Sequence, residues 1–138
     1  MKKKILIILA NYYKDIADGL IKSTKNIIPK TNKVDIIKVP GVFEIPVTIS
    51  RNINKYDAFL ALGCVIKGKT PHFDFISQAS TNAIMNLSVT SKKPIGNGII
   101  TCLNISQAKA RKKKGAEAAK AIISVLSQKR EHNSFPKI

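Results

Sequence analysis

Apolar positions in this chain switch repeatedly between unbroken runs and a helical period. Lys4 to Ala10 is a nearly continuous apolar run, whereas Ile16, Ala17, Leu20, Ile21, Thr24 and Ile28 recur about every 3.6 residues. A strand followed by an amphipathic helix is therefore predicted, with Pro29 stopping the helix. Val34 to Val39 reads as a second strand. The turn Pro40-Gly41 then leads into a helical segment marked by Phe43, Val47, Ile49 and Ile53, where Pro46 is tolerable only in the first turn. Asp57 to Ile66 is a third strand. From Pro71, residues Phe73, Ile76, Ser80, Ala83, Ile84 and Leu87 mark one helical face. Pro94 to Cys102 gives a fourth strand with Gly96 and Gly98 as weak points. Two closing helices are expected from about Ser106 to Lys112 and from about Ala116 to Gln128, the second turning Ala119, Ile122, Ile123 and Leu126 toward a core. Residues 131–138 read as a frayed tail.

Strands that lack a polar face and alternate with helices argue for a parallel sheet covered on both sides. The fold class is α/β, with three layers. The 138 residues suit one domain spanning 1–138, without room for a second module. In such folds the ligand site lies at the carboxyl ends of the strands. The segments leaving those ends are Asn11-Tyr12-Tyr13, Pro40 to Glu44, Lys67 to His72 and the region beyond Cys102.

The segment Gly63 to Asp74 carries the most chemistry. It takes an apolar strand through a short basic loop to a helix start, with Thr70 able to cap the helix and Pro71 suited to its first position. His72 then falls on the first turn, beside unpaired N–H groups and the positive end of the helix dipole. Such a place binds anions and favours a neutral imidazole able to accept a proton. A lone histidine is more often structural, so position alone leaves catalysis open.

The net charge of +16 and pI near 10.1 point toward nucleic acid, anionic membranes or phosphorylated small molecules. The charge is not focused, however. Arg111-Lys112-Lys113-Lys114 is the one dense cluster, and no aromatics interleave with it as a base-stacking platform requires. A composition tilted toward Lys, Ile and Asn explains most of it, with attraction of an anionic substrate as a side benefit, and no specific nucleic-acid partner is expected. Met1 to Ala10 imitates a signal peptide, but its apolar stretch is short and no cleavage pattern follows. No run is long enough to span a bilayer, so no membrane partner is expected. Cys64 and Cys102 have no metal-type spacing, which favours a reduced, cytoplasmic setting.

Several motifs, in order, carry a resemblance. They are Pro40-Gly41-Val42-Phe43-Glu44-Ile45-Pro46, Gly63 to Asp74, Gly98-Ile99-Ile100-Thr101, Gln107-Ala108 before Arg111, and Lys114-Gly115 with Glu117-Ala118-Ala119 behind. From about Ile5 to about Leu126 the chain resembles the lumazine synthase family. The resemblance implies a flavodoxin-like four-stranded parallel sheet and a homopentameric ring with active sites between neighbouring subunits. It implies condensation of 5-amino-6-(D-ribitylamino)uracil with 3,4-dihydroxy-2-butanone 4-phosphate to 6,7-dimethyl-8-ribityllumazine, with no metal or organic cofactor.

Carried over residue by residue, the resemblance makes His72 the proton-transfer group, while Lys69 and Thr70 hold the phosphorylated butanone. Lys69 departs from the small or acidic residue usual there, and either a phosphate contact or a solvated lysine fits it. Arg111 matches the phosphate-binding arginine, whose planar fork suits an oxyanion. The connection from Arg111 to Lys114-Gly115 is shorter than in the family, which weakens the match for Lys114. Tyr12 matches the aromatic position that stacks on the pyrimidine. Val42, Phe43 and Glu44 match the segment that binds the ribityl chain and ring edge, and Cys64, Val65 and Ile66 match the strand end contacting the uracil. Asn97 stands where many members have phenylalanine and a subset asparagine, a position supplied by a neighbouring subunit. Because members form pentamers or sixty-subunit shells, and the extra N-terminal strand common in shells is not evident here, the pentamer is expected. The alternative is a basic flavodoxin-like module that binds flavin or nucleic acid without catalysis, although Asn11-Tyr12-Tyr13-Lys14 is not a phosphate loop of the flavodoxin kind.

Overall fold

The computed structural model describes residues 2–68 and 71–131. Four strands, β1 (Lys4–Ala10), β2 (Lys33–Val39), β3 (Ala58–Ile66) and β4 (Ile95–Cys102), form one sheet in the order β2-β1-β3-β4. All three pairings are parallel, with Ile5 opposite Val34 and Ala58, and Cys64 opposite Ile100. The predicted α/β class and the parallel four-stranded sheet are therefore present. Among the described residues, five α-helices complete the fold: α1 (Lys14–Lys25), α2 (Ile45–Asn52), α3 (His72–Ser91), α4 (Ile105–Ala110) and α5 (Lys114–Leu126).

The unbroken apolar runs have a direct structural cause. In a strand, successive side chains point to opposite faces, so a central strand buried on both sides must be apolar at every position. Ile5, Ile7 and Leu9 of β1 join Leu60 and Leu62 of β3 in a core with α1, α4 and α5, whereas Leu6, Ile8 and Ala10 join Phe59 and Ala61 in a second core with α2 and α3. Each fully buried Ile or Leu contributes roughly 1.5–3 kcal/mol of hydrophobic stabilisation, so these two strands anchor both layers.

Three local predictions needed correction. Gly96 and Gly98 are not weak points, because β4 runs through both. A Cβ at Gly96 would lie 2.5 Å from the Ala118 carbonyl oxygen and 2.6 Å from Leu60 Cδ2, and one at Gly98 would meet Leu62 and lie 3.4 Å from Ala118 Cβ. Glycine there lets α5 approach the sheet. In the segment after β2, Val42–Glu44 forms a 3₁₀ turn and α2 starts at Ile45, so that Val42, Ile45 and Ile49 face the core. Phe43 and Val47 instead stand 67% and 57% exposed. Finally, α3 begins at His72, one residue after Pro71, whose carbonyl accepts bonds from Asp74 N (3.1 Å) and Phe75 N (3.3 Å). The proposed Thr70 cap lies outside the described residues.

The closing helices begin earlier than expected, from Ile105 and Lys114. A reciprocal cap sets the first start: Asn104 Oδ1 accepts from Gln107 N at 2.9 Å, while Gln107 Oε1 accepts from Leu103 N at 2.8 Å. Glu131 is exposed and irregular, and the rest of the expected frayed tail lies outside the described residues.

Candidate active site

The strand order reverses direction around β1 and β3, and a cleft of about 520 Å³ opens at their carboxyl ends. Three connections build it. The β1–α1 link brings Tyr12 and Tyr13, the β2–α2 link brings Gly41 to Glu44, and β3 with the start of α3 brings Cys64 to Ile66 and His72. Gly63 makes room for this convergence, since a Cβ there would lie 2.9 Å from Val42 Cγ2 and 3.0 Å from Ala10 Cβ.

Eight of the predicted site residues line this one cleft: Tyr12, Val42, Phe43, Glu44, Cys64, Val65, Ile66 and His72. Tyr12 is 76% exposed and stands edge-on to Tyr13, with ring centroids 4.9 Å apart. Its flat face is thus available for a planar ligand. The Glu44 carboxylate lies against the chain at Gly41, where a Cβ would come within 3.3 Å of Oε1. Thr48 Oγ1 donates to the Glu44 carbonyl at 2.8 Å and steadies the turn that carries it.

Burial pushes the Cys64 thiol up to about 12, with Cys102 on the adjacent strand adding to the shift. The thiol stays protonated at neutral pH, which suits a packed wall and not a nucleophile. Tyr13 is also raised, first by burial and then by Cys64, so its phenol remains a neutral donor. Tyr13 and Gly41 fall in the strand-end segments expected to hold the site but, like Ala10 and Ile76, were not assigned a role there, and all four line the cleft. The adjacent pair Tyr12-Tyr13 at a strand end was the usable signal for Tyr13.

Arg111 and Lys114 are elsewhere. Together with Thr101, Lys113 and Glu117 they line a second cleft of about 440 Å³ between the end of β4 and the α4–α5 link, and no lining residue is shared with the first. Arg111 Nη1 donates to the Thr101 carbonyl at 3.1 Å. Lys113 was missed because a basic run gives no hint of which members face inward. Asn97 lines neither cleft: it is exposed on β4, and its Oδ1 accepts from Ile99 N at 3.0 Å. Lys69 and Thr70 lie outside the described residues.

The first cleft combines a flat aromatic face, a carboxylate acceptor and an imidazole at a helix start, and the second is cationic. The family model for 6,7-dimethyl-8-ribityllumazine synthase matches residues 2–130. The chain belongs to that family. Among its relatives, the 6,7-dimethyl-8-ribityllumazine synthase of Agrobacterium fabrum is 40% identical over 143 residues, covering 94% of this chain and 97% of that protein. A protein named 6,7-dimethyl-8-ribityllumazine synthase 1 from Rhodopseudomonas palustris is 40% identical over 140 residues, covering 92% and 86%. The lumazine synthase of Bartonella tribocorum is 40% identical over 141 residues, covering 94% and 93%. Family membership and the parallel sheet together disfavour a binding module without catalysis. Among the described residues, no helix is long and apolar enough to cross a membrane.

Proposed function

We propose that this chain is a lumazine synthase, condensing 5-amino-6-(D-ribitylamino)uracil with 3,4-dihydroxy-2-butanone 4-phosphate to 6,7-dimethyl-8-ribityllumazine with release of phosphate and water. The observation that carries this reading is the meeting of Tyr12, Glu44 and His72, from three separate connections, in one cleft of a chain matched by the family model. One amine attacks the ketone to form an imine with loss of water, phosphate leaves by elimination, and the second amine, the one bearing the ribityl chain, closes the ring on the remaining carbonyl with loss of water. Holding both substrates and moving protons are the main requirements, and no cofactor takes part in this scheme.

In this scheme Tyr12 stacks on the pyrimidine, Glu44 accepts from ribityl hydroxyls, and the walls Val42, Phe43 and Cys64 to Ile66 exclude water. His72 moves protons during imine formation and elimination. Arg111 and Lys114 take the phosphate, a task that the family resemblance also gives to Lys69 and Thr70.

The two clefts become one site when a neighbouring copy sets its Arg111 face against the His72 cleft, with Asn97 of that copy reaching the ring. A homopentameric ring achieves this with one repeated heterologous contact. Support comes from the apolar surface a lone subunit exposes: Phe43, Phe75, Met85 and Val89 are each more than 60% exposed. Free Cys64 and Cys102 fit a reducing cytoplasm.

The test is to mix the two substrates with purified protein and follow lumazine absorbance, while light scattering reads the assembly. Turnover with pentameric mass is expected. Absence of lumazine formation by a folded assembly overturns the proposal.

A further inference from the structure

The basic quartet Arg111 to Lys114 divides into two roles. Arg111, Lys113 and Lys114 line the cationic cleft, but Lys112 does not. Lys112 is half-buried and lies against α1 instead: a Cβ at Gly19 would meet its stem at Cβ (3.2 Å), Cγ (2.9 Å) and Cδ. Its carbonyl accepts a hydrogen bond from Ser23 Oγ at 3.0 Å, across 89 positions of sequence. One turn further on, a Cβ at Gly115 would lie 2.6 Å from Ser23 Oγ and would also meet the Leu20 carbonyl. The three-residue link is also pinned from within, by Arg111 N to the Ala108 carbonyl (3.1 Å) and Lys114 N to the Arg111 carbonyl (3.0 Å).

These contacts need an explanation, because glycine in the middle of α1 is unfavourable for the helix and Ser23 could bond the Leu20 carbonyl alone, 3.0 Å away. We infer that Gly19 and Ser23 are positioning residues: they clamp the α4–α5 link onto α1 through Lys112 and thereby aim Arg111 and Lys114 at the anion. The link is a tight turn, so with Lys112 fastened on the α1 side, Arg111, Lys113 and Lys114 are left on the cleft side. Without the clamp, the turn is held only by its own backbone bonds, and the cations lose affinity through the added entropy of ordering them. The inference rests on the proposed function only for the identity of the phosphorylated ligand.

The test uses the intact assembled protein, Ser23→Ala, Gly19→Ala and a control, Ser88→Ala, whose hydroxyl bonds the Lys93 carbonyl of another connection at 2.8 Å. Inorganic phosphate affinity is measured by calorimetry, alongside KM for each substrate and thermal midpoint. Ser23→Ala is expected to weaken phosphate binding and raise KM for the phosphorylated substrate about 5-fold, with KM for the pyrimidine substrate unchanged. Gly19→Ala is expected to do the same while leaving the midpoint level or higher, because alanine favours helix and its methyl displaces the Lys112 stem. Ser88→Ala should lower the midpoint without altering phosphate affinity. The clamp is refuted if Ser23→Ala and Gly19→Ala bind phosphate as tightly as the unaltered protein, or if Ser88→Ala weakens binding equally. A protein that binds phosphate but makes no lumazine refutes the function and leaves the clamp to be judged by the phosphate arm.

Discussion

The His72 cleft and the Arg111 cleft occupy the same end of one sheet, yet they are built in opposite ways. The first is walled by strand ends and aromatic rings and gathers residues from three connections. The second lies between the end of β4 and the α4–α5 turn, with three cations and Glu117. Low polarity suits ring stacking and proton transfer, where competing water must be kept out. Phosphate needs fixed positive charge at an accessible surface. Under the proposed function, separate faces of the chain let each cleft be optimised for its own task, and association of copies would then join them.

The sharpest attack on this comparison is His72→Ala, expected to lower turnover about 10²- to 10⁴-fold with the assembly intact, as lost proton transfer does. Undiminished turnover in that variant removes His72 from the mechanism. Arg111→Ala follows, with kcat/KM for the phosphorylated substrate down roughly 10- to 150-fold, the range for a lost charged hydrogen bond. If the clefts meet between subunits, reassembly of these two impaired variants in equal mixture restores full activity at about a quarter of the sites, since each site needs one intact His72 and a neighbour's intact Arg111. No regain at all would place both residues in one subunit's own site.

Smaller effects refine the picture of the first cleft. Tyr12→Ala should raise KM for the pyrimidine substrate up to about 10-fold, the worth of one stacking contact, and leave phosphate affinity alone. The least effect concerns pH. Because the Cys64 thiol is raised from its ordinary 9.0 to about 12, the folded chain holds a proton there that the unfolded chain releases between those values. Stability contributed by this group is thus full below pH 9 and declines as pH climbs toward 12. In Cys64→Ala, denaturant unfolding should show a shallower alkaline loss, and an unchanged slope would contradict the assignment.

Much of this was legible because burial on both sides forces an apolar run. β1 was bounded correctly, and β2, β3 and β4 within one residue at their first positions. Strand-end logic then collected the residues that line the first cleft. Legibility failed where a neighbour decides. Gly96 and Gly98 looked like strand weaknesses until α5 lay across them. Phe43 and Val47 share an apolar spacing with Ile49 and Ile53, and such spacing carries no sign of which surface each residue meets. Lys112 and Lys113 are identical in type and adjacent, yet only the fold turns one onto α1 and the other into the cleft.

Hydrophobic period, proline punctuation and the motif order were enough to specify an α/β chain of this family and to nominate His72, Tyr12 and Glu44, because those signals depend on a residue and its near neighbours along the chain. The division of the candidate site into two separate clefts, and the clamp of α1 on the link that carries Arg111, arose only in three dimensions. Both depend on contacts between residues many tens of positions apart, such as Ser23 with Lys112, whose pairing is set by how helices cross the sheet and leaves no local trace.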